Sequence, residues 1–124
     1  MSLTDRPVDP RETPLTLLPF PELAAELRAE APYENGKNSR ALVRSQEMSV
    51  VLSALKTGLE LKPHRAPTTA SVVVLEGELL FSTHGDKPEE QRLTAHQCVV
   101  FSAEVEHSVK ALTDCLFVIT MGGK

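Results

Sequence analysis

From Ser39 onward, short apolar and β-branched runs recur at close intervals, each closed by a turn signal, and no helical period returns between them. Such a chain cannot build βαβ units, because parallel strands need a long crossover, usually a helix. It can build an antiparallel sandwich or barrel. The runs fall at 41–43, 48–55, 59–61, 71–76, 78–82, 92–94, 98–101, 106–111 and 115–121, giving eight or nine strands. Gly77 stands between two of them, where the chain can bend sharply without a Cβ penalty. Residues 84–88, His-Gly-Asp-Lys-Pro, read as a polar, exposed connection.

The N-terminal third is different. Pro7, Pro10, Pro14, Pro19 and Pro21 fix φ and remove backbone donors, so the segment is expected to be an extended arm. Leu15, Leu17, Leu18 and Phe20 are too apolar for a solvated tail and are expected to cross the barrel surface or reach a partner subunit. Pro21 opens one short helix over 21–30, with Leu23, Ala24, Leu27 and Ala31 on one face and Pro32 as its stop. Asn35-Gly36 signals a turn. The expected organisation is an arm and helix over 1–38 and a β barrel over 39–124.

Composition narrows the function classes. A formal net charge of −4, with the basic residues scattered singly, argues against nucleic acid. No apolar run approaches the ~20 residues that span a bilayer, which argues against a membrane role. The first fourteen residues lack the apolar stretch of a secretory signal, so the expected location is cytoplasmic. Cys98 and Cys115 are not in a C-x-x-C pattern, and both fall in apolar strands. They read as two buried, reduced thiols acting as small hydrophobes.

Two strands, at 72–75 and 116–119, are apolar at every position. A strand with one wet face should alternate, so both are expected to be covered on two sides. The expected cover is a second subunit or the proline-rich arm, and a homodimer follows from it.

Gly58 precedes His64 by six residues, Gly77 follows thirteen later, and His107 lies a further thirty along. In this spacing, and in the phrase Val-Leu-Glu-Gly-Glu at 74–78, residues 40–121 resemble the small single-domain cupins. That resemblance implies an all-β fold, a double-stranded β-helix (jelly-roll) barrel. The family's first motif, G-x5-H-x-H-x3,4-E-x6-G, is met by Gly58, His64 and Gly77, while Ala66 and Ala70 replace its second histidine and its glutamate. Of the second motif, G-x5-P-x-G-x2-H-x3-N, only His107 is present; His96, Ser102, Glu104 and Ala111 fill the other positions.

The resemblance implies that His64 and His107 face one pocket and are the candidate metal ligands. Fe, Mn, Zn or Ni would be held loosely by two imidazoles, since one neutral and one anionic ligand are lost. Glu60, Glu104, Glu106 and His96 are weighed as a third ligand and read instead as solvated residues at strand ends. By strand alternation Val109 and Ala111 share the face of His107, and Ala70, Val72 and Val74 share the facing interior. The expected binding residues are His64, Val72, Val74, His107 and Val109, lining an apolar pocket that Ala66 and Ala70 enlarge. The locally basic stretch Lys62–Pro67 reads as a solvated loop, although Arg65 could meet a carboxylate.

Three functions fit these residues. The first is a cupin that binds a small organic ligand without chemistry. The second is a metal-dependent oxygenase or isomerase with a reduced ligand set. The third is metal-free acid–base catalysis, as in some sugar-modifying cupins. It ranks last, because the sole tyrosine, Tyr33, lies outside the barrel strands. Whether the protein is an enzyme is left open by the sequence.

Overall fold

A computed structural model describes residues 7–122. Residues 1–6 of the expected arm and 123–124 of the expected barrel lie outside it. Nine strands form: β1 (Lys37–Arg44), β2 (Met48–Leu55), β3 (Glu60–His64), β4 (Ala70–Glu76), β5 (Leu79–His84), β6 (Glu90–Leu93), β7 (Cys98–Phe101), β8 (Glu106–Ala111) and β9 (Cys115–Gly122). They assemble into a five-stranded sheet, β1-β2-β9-β4-β7, and a four-stranded sheet, β3-β8-β5-β6. Every strand pairing within the sheets is antiparallel. The β5 strand runs through His84, two residues beyond its expected end.

Alternation places the core between the two sheets. Ala70, Val72 and Val74 of β4, Cys115 and Phe117 of β9, Leu79 and Phe81 of β5, and Val109 and Ala111 of β8 all turn inward and form one buried cluster. A second cluster lies on the outside of the larger sheet. There Leu23, Ala24 and Leu27 of α1 (Phe20–Ala29) pack on Leu42, Leu52, Leu116 and Val118. Full burial of each leucine is worth about 1.5–3 kcal/mol, so the helix belongs to the folded body.

This packing supplies the cover expected of β9. Leu116 and Val118 face the helix while Cys115 and Phe117 face the barrel, so the unbroken apolar run is satisfied within one chain. Leu75 of β4 also reaches the helix cluster, but Val100 of the neighbouring edge strand β7 is 72% exposed.

The N-terminal segment divides. Val8 forms a parallel bridge to Val43, with its N–H donating to the Leu42 carbonyl and its own carbonyl accepting from the Arg44 N–H. Leu18 and Phe20 pack against the helix cluster, whereas Leu15 and Leu17 are exposed. Pro32 is not simply a stop. Helix α1 ends where Glu30 becomes extended, and Pro32 lies in the first turn of a second short helix, α2 (Ala31–Glu34). A first-turn proline sacrifices no helical hydrogen bond, which is why a second helix is tolerated there. Asn38 then ties β1 to α1, donating from Nδ2 to the Leu27 carbonyl at 3.0 Å and to Glu30 at 2.8 Å.

The cysteines require a correction. Cys115 is fully buried, but Cys98 is exposed, because it lies on the outer face of β7 at the margin of the sheet. An apolar run on an edge strand does not guarantee burial of both faces.

Candidate functional site

The candidate site is built by a defect in β3. Glu60 pairs with Lys110 and Leu61 with Val109, yet His64 pairs with His107, one residue out of that register. The extra residue lies in the Lys62-Pro63 step. Proline has no N–H for the ladder, so a bulge there leaves one donor fewer to satisfy. The bulge also resets the alternation. Without it Leu61 and Pro63 would share a face and His64 would turn away; with it His64 joins Leu61 in lining the barrel.

The two imidazoles meet with ring centroids 4.3 Å apart. His64 is exposed at the mouth and His107, 4% exposed, sits beneath it. Phe81 stacks on the His107 ring at 5.4 Å, and Phe101 packs at 4.3 Å. Burial pushes the His107 pKa below its ordinary 6.5, opposed by the Val105 carbonyl and aided by the nearby His64 and His84. His107 is therefore neutral at pH 7.

Backbone carbonyls settle the tautomers. The Nδ1 of His64 lies 2.8 Å from the Lys62 carbonyl, and that of His107 lies 3.1 Å from the Val105 carbonyl. A carbonyl only accepts, so each Nδ1 donates and, in the neutral ring, each Nε2 keeps its lone pair. Neither Nε2 has a hydrogen-bond partner among the described residues.

Below the histidines lies a chamber of about 160 Å³. Its lining includes the expected Val72 and Val109, together with Leu61, Ala66, Phe101, Phe117, Ile119 and Met121. Val74 does not line it; that side chain is wholly buried in the core. Ala70 lies on the same inner face and is paired with Phe101 and Met121, both of which line the chamber. The aromatic and β9 wall residues were hidden in runs whose inward and outward positions are both apolar. Only the β9 register, which sets Ile119 opposite Val72, separates them.

Among the described residues no group of three or more His, Cys, Asp or Glu side chains could hold a metal ion. Glu60 is exposed, Glu106 pairs across the sheet with His84, and His96 lies exposed in the turn before β7. His84, expected in an exposed connection, is exposed at the end of β5 and bonds Ser108 at 2.9 Å. The four-ligand set implied by the resemblance is thus reduced to two imidazoles. These can hold a divalent ion only with several other positions filled by water or substrate.

No family model matches the chain, and no curated protein matches it. Solved structures do. A cupin superfamily protein from Desulfitobacterium hafniense aligns over 88% of this chain and 92% of its own, with 16% identity and a TM-score of 0.70. An RmlC-like cupin from Desulfovibrio desulfuricans aligns over 77% and 91%, with 26% identity and a TM-score of 0.67. A variant of oxalate decarboxylase from Bacillus subtilis aligns over 71% of this chain but 26% of its own, with 14% identity and a TM-score of 0.66. At these identities the likeness concerns the fold. Two antiparallel sheets, their strand order and these neighbours together show that the chain folds as a small cupin-type barrel.

Proposed function

We propose that this protein binds a small, mainly apolar organic molecule inside the barrel and does so without a resident metal. One observation carries the reading: a chamber of about 160 Å³, walled by aliphatic and aromatic side chains, opens beneath His64 where Ala66 leaves space. A cavity of ~150 Å³ with such walls accepts a benzene-sized guest. The polar groups that line it, the His64 and His107 imidazoles and the Arg65 guanidinium, suit orientation of a ligand, and no Asp or Glu lines the chamber to drive acid–base turnover.

The test uses toluene as probe and follows the methyl resonances of Val72, Val109 and Ile119 by NMR. Saturable shifts in the native protein, abolished by Ala66→Leu, are the expected result. Unshifted methyl signals at millimolar toluene would end the reading.

A second reading has its own support. The two free Nε2 lone pairs are the form in which imidazole ligates, and oxalate decarboxylase, a fold neighbour, is described with Mn(II) centres. In it His64 and His107 would hold Fe, Mn, Zn or Ni, and the protein would be an oxygenase or isomerase. Elemental analysis of untagged protein separates the two. One equivalent of metal, lost in His64→Ala, would replace the first reading with the second.

A homodimer is the proposed assembly, with Val100 of β7 as the apolar surface left for a second copy. Sedimentation at micromolar concentration should give twice the chain mass; a monomeric mass would exclude it. The chain's expected place is inside the cell, and among the described residues no helix is long and apolar enough to cross a membrane.

A further inference from the structure

The chamber does not end at the histidines. Pro67 and Met121 line it and also line a second, wider cavity of about 470 Å³ at the same end of the barrel. The two spaces therefore share a wall, and their linings differ in kind. The inner one is aliphatic and aromatic apart from His64, His107 and Arg65. The outer one carries Arg11, Arg44, Ser45 and Gln46. Arg65 lines the inner chamber beside His64.

Charge is distributed unevenly over this surface. Neither cavity has an Asp or Glu among its described lining residues, although the whole chain carries a net charge of −4. Arg11 is neutralised by Asp9 at 2.9 Å. Arg65 donates from Nε to the Glu104 backbone carbonyl at 3.2 Å, which orients the side chain but cancels no charge. Arg44 and Arg65 have no carboxylate partner among the described residues. Two guanidinium groups without a carboxylate partner among the described residues thus flank the binding space, Arg65 on the apolar inner chamber and Arg44 on the more polar outer cavity. A guanidinium fork matches a carboxylate in shape and charge, and such charge-assisted bonds are about twice as strong as neutral ones.

We propose that the ligand is an organic monocarboxylate whose apolar end, the size of a phenyl ring or a short alkyl chain, fills the inner chamber. Its carboxylate is held by Arg65 and Arg44. This rests on the reading of the chamber as a binding site and adds to it the class of molecule bound. His64 and His107 then serve as walls and hydrogen-bond partners.

The experiment is isothermal titration of the full, untagged chain with 3-phenylpropanoate and with 3-phenylpropanamide, which share the same ring and spacer. Both are titrated into the native protein, Arg65→Gln, Arg44→Gln and Ala66→Leu. Both arginines are exposed, so the glutamine variants are expected to keep the native circular dichroism and unfolding midpoint. In the native protein the acid should bind about tenfold more tightly than the amide at low salt, the scale of one charge-assisted hydrogen-bonded pair. Arg65→Gln should remove that preference, Arg44→Gln should reduce it, and added salt should weaken acid binding alone. Equal affinities for acid and amide, both lost in Ala66→Leu, would overturn the carboxylate proposal and leave the apolar chamber standing. A preference for the acid that survives Ala66→Leu would also overturn it, because the apolar end would then play no part. Binding of neither molecule would remove the chamber reading and this inference with it.

Discussion

His64 lies directly across the sheet from His107, and it does so because β3 carries one residue more than β8 between Leu61 and that pair. The pairing joins an exposed ring to a buried one at a centroid distance of 4.3 Å. Each ring is fixed through Nδ1 by the carbonyl two residues before it, that of Lys62 within β3 and that of Val105 just ahead of β8. The two imidazoles are thus preset by local backbone geometry, independently of anything bound between them.

The buried member should make stability pH-dependent. Burial lowers the folded-state pKa of His107 below the 6.5 expected when unfolded, so between those values the unfolded chain binds more protons. Stability then rises with pH in that window. The contribution is fully present above pH 6.5 and is lost as pH falls through the folded pKa. Urea midpoints measured from pH 7.5 to 5 should fall on acidification, and His107→Gln should flatten that slope. Parallel profiles for the two proteins would show that His107 is not protonated differently in the two states.

How much of this could be read from the chain is uneven. Strand rhythm and the Gly58, His64, Gly77 and His107 spacing were enough for the nine-strand layout, because period-2 alternation and turn glycines are local properties. The face of His64 was not, since Pro63 makes alternation ambiguous and only pairing with β8 resolves it. Val74 was expected in the pocket by alternation, correctly assigned to the inner face, but alternation says nothing of depth along the barrel. The cover of Leu116 and Val118 was sought in a second chain or the arm. The helix was visible as an amphipathic stretch, but its docking on β2 and β9 is a long-range contact with no local signature.

Gly77 is expected to tolerate no side chain. Its φ is +79°, and a Cβ there would lie 2.1 Å from the Asp114 carbonyl and 2.9 Å from the Cys115 Cα. Both contacts are with backbone and cannot be relieved by a rotamer change. Gly77→Ala should cost about 2–4 kcal/mol, combining left-handed strain with displacement of the β9 start. Gly58 has φ +87° but open space around it, so Gly58→Ala should cost only the strain, about 1–2 kcal/mol. Equal losses in denaturant titrations would refute the steric argument.

His96 invites the opposite change. It is the only non-glycine residue with positive φ among those described, at +75°, and it holds the position where the resembling family has its second-motif glycine. Its N–H donates to the Val74 carbonyl at 2.7 Å, which fixes that backbone conformation. Glycine would relieve about 1–2 kcal/mol of strain and return about 0.5–1 kcal/mol as extra unfolded-state entropy. His96→Gly should therefore stabilise by about 0.5 kcal/mol or slightly more. His96→Ala keeps the Cβ and should give no such gain. The comparison of the two midpoints isolates the backbone term.

The cysteines should differ sharply in reactivity. Burial pushes the Cys115 thiol up to about 11 and removes it from solvent, whereas Cys98 is exposed on β7. Native protein treated with a chromogenic disulfide reagent at pH 8 should release one equivalent quickly, and the second only on unfolding. Cys98→Ser should abolish the fast phase. Two fast equivalents would mean that β9 opens locally at its first residue.

The depleted ligand set can be refilled. Ala66 lines the chamber and Ala70 faces inward beside Phe101 and Met121, so histidine at the first position and glutamate at the second would join His64 and His107. Three imidazoles and one carboxylate meet the demands of a divalent transition metal, and the carboxylate offsets part of its charge. The double variant Ala66→His/Ala70→Glu, loaded with Mn²⁺ and desalted, should retain about one ion per chain, while the native protein retains less. Chelation should then lower the unfolding temperature of the variant, because Ala70 is 2% exposed and a carboxylate there loses its counter-charge. The same chelation should leave the native protein unchanged if its chamber works without metal. A native protein that loses stability with chelator would instead mean that His64 and His107 already hold an ion with help from a ligand beyond the chain's described side chains.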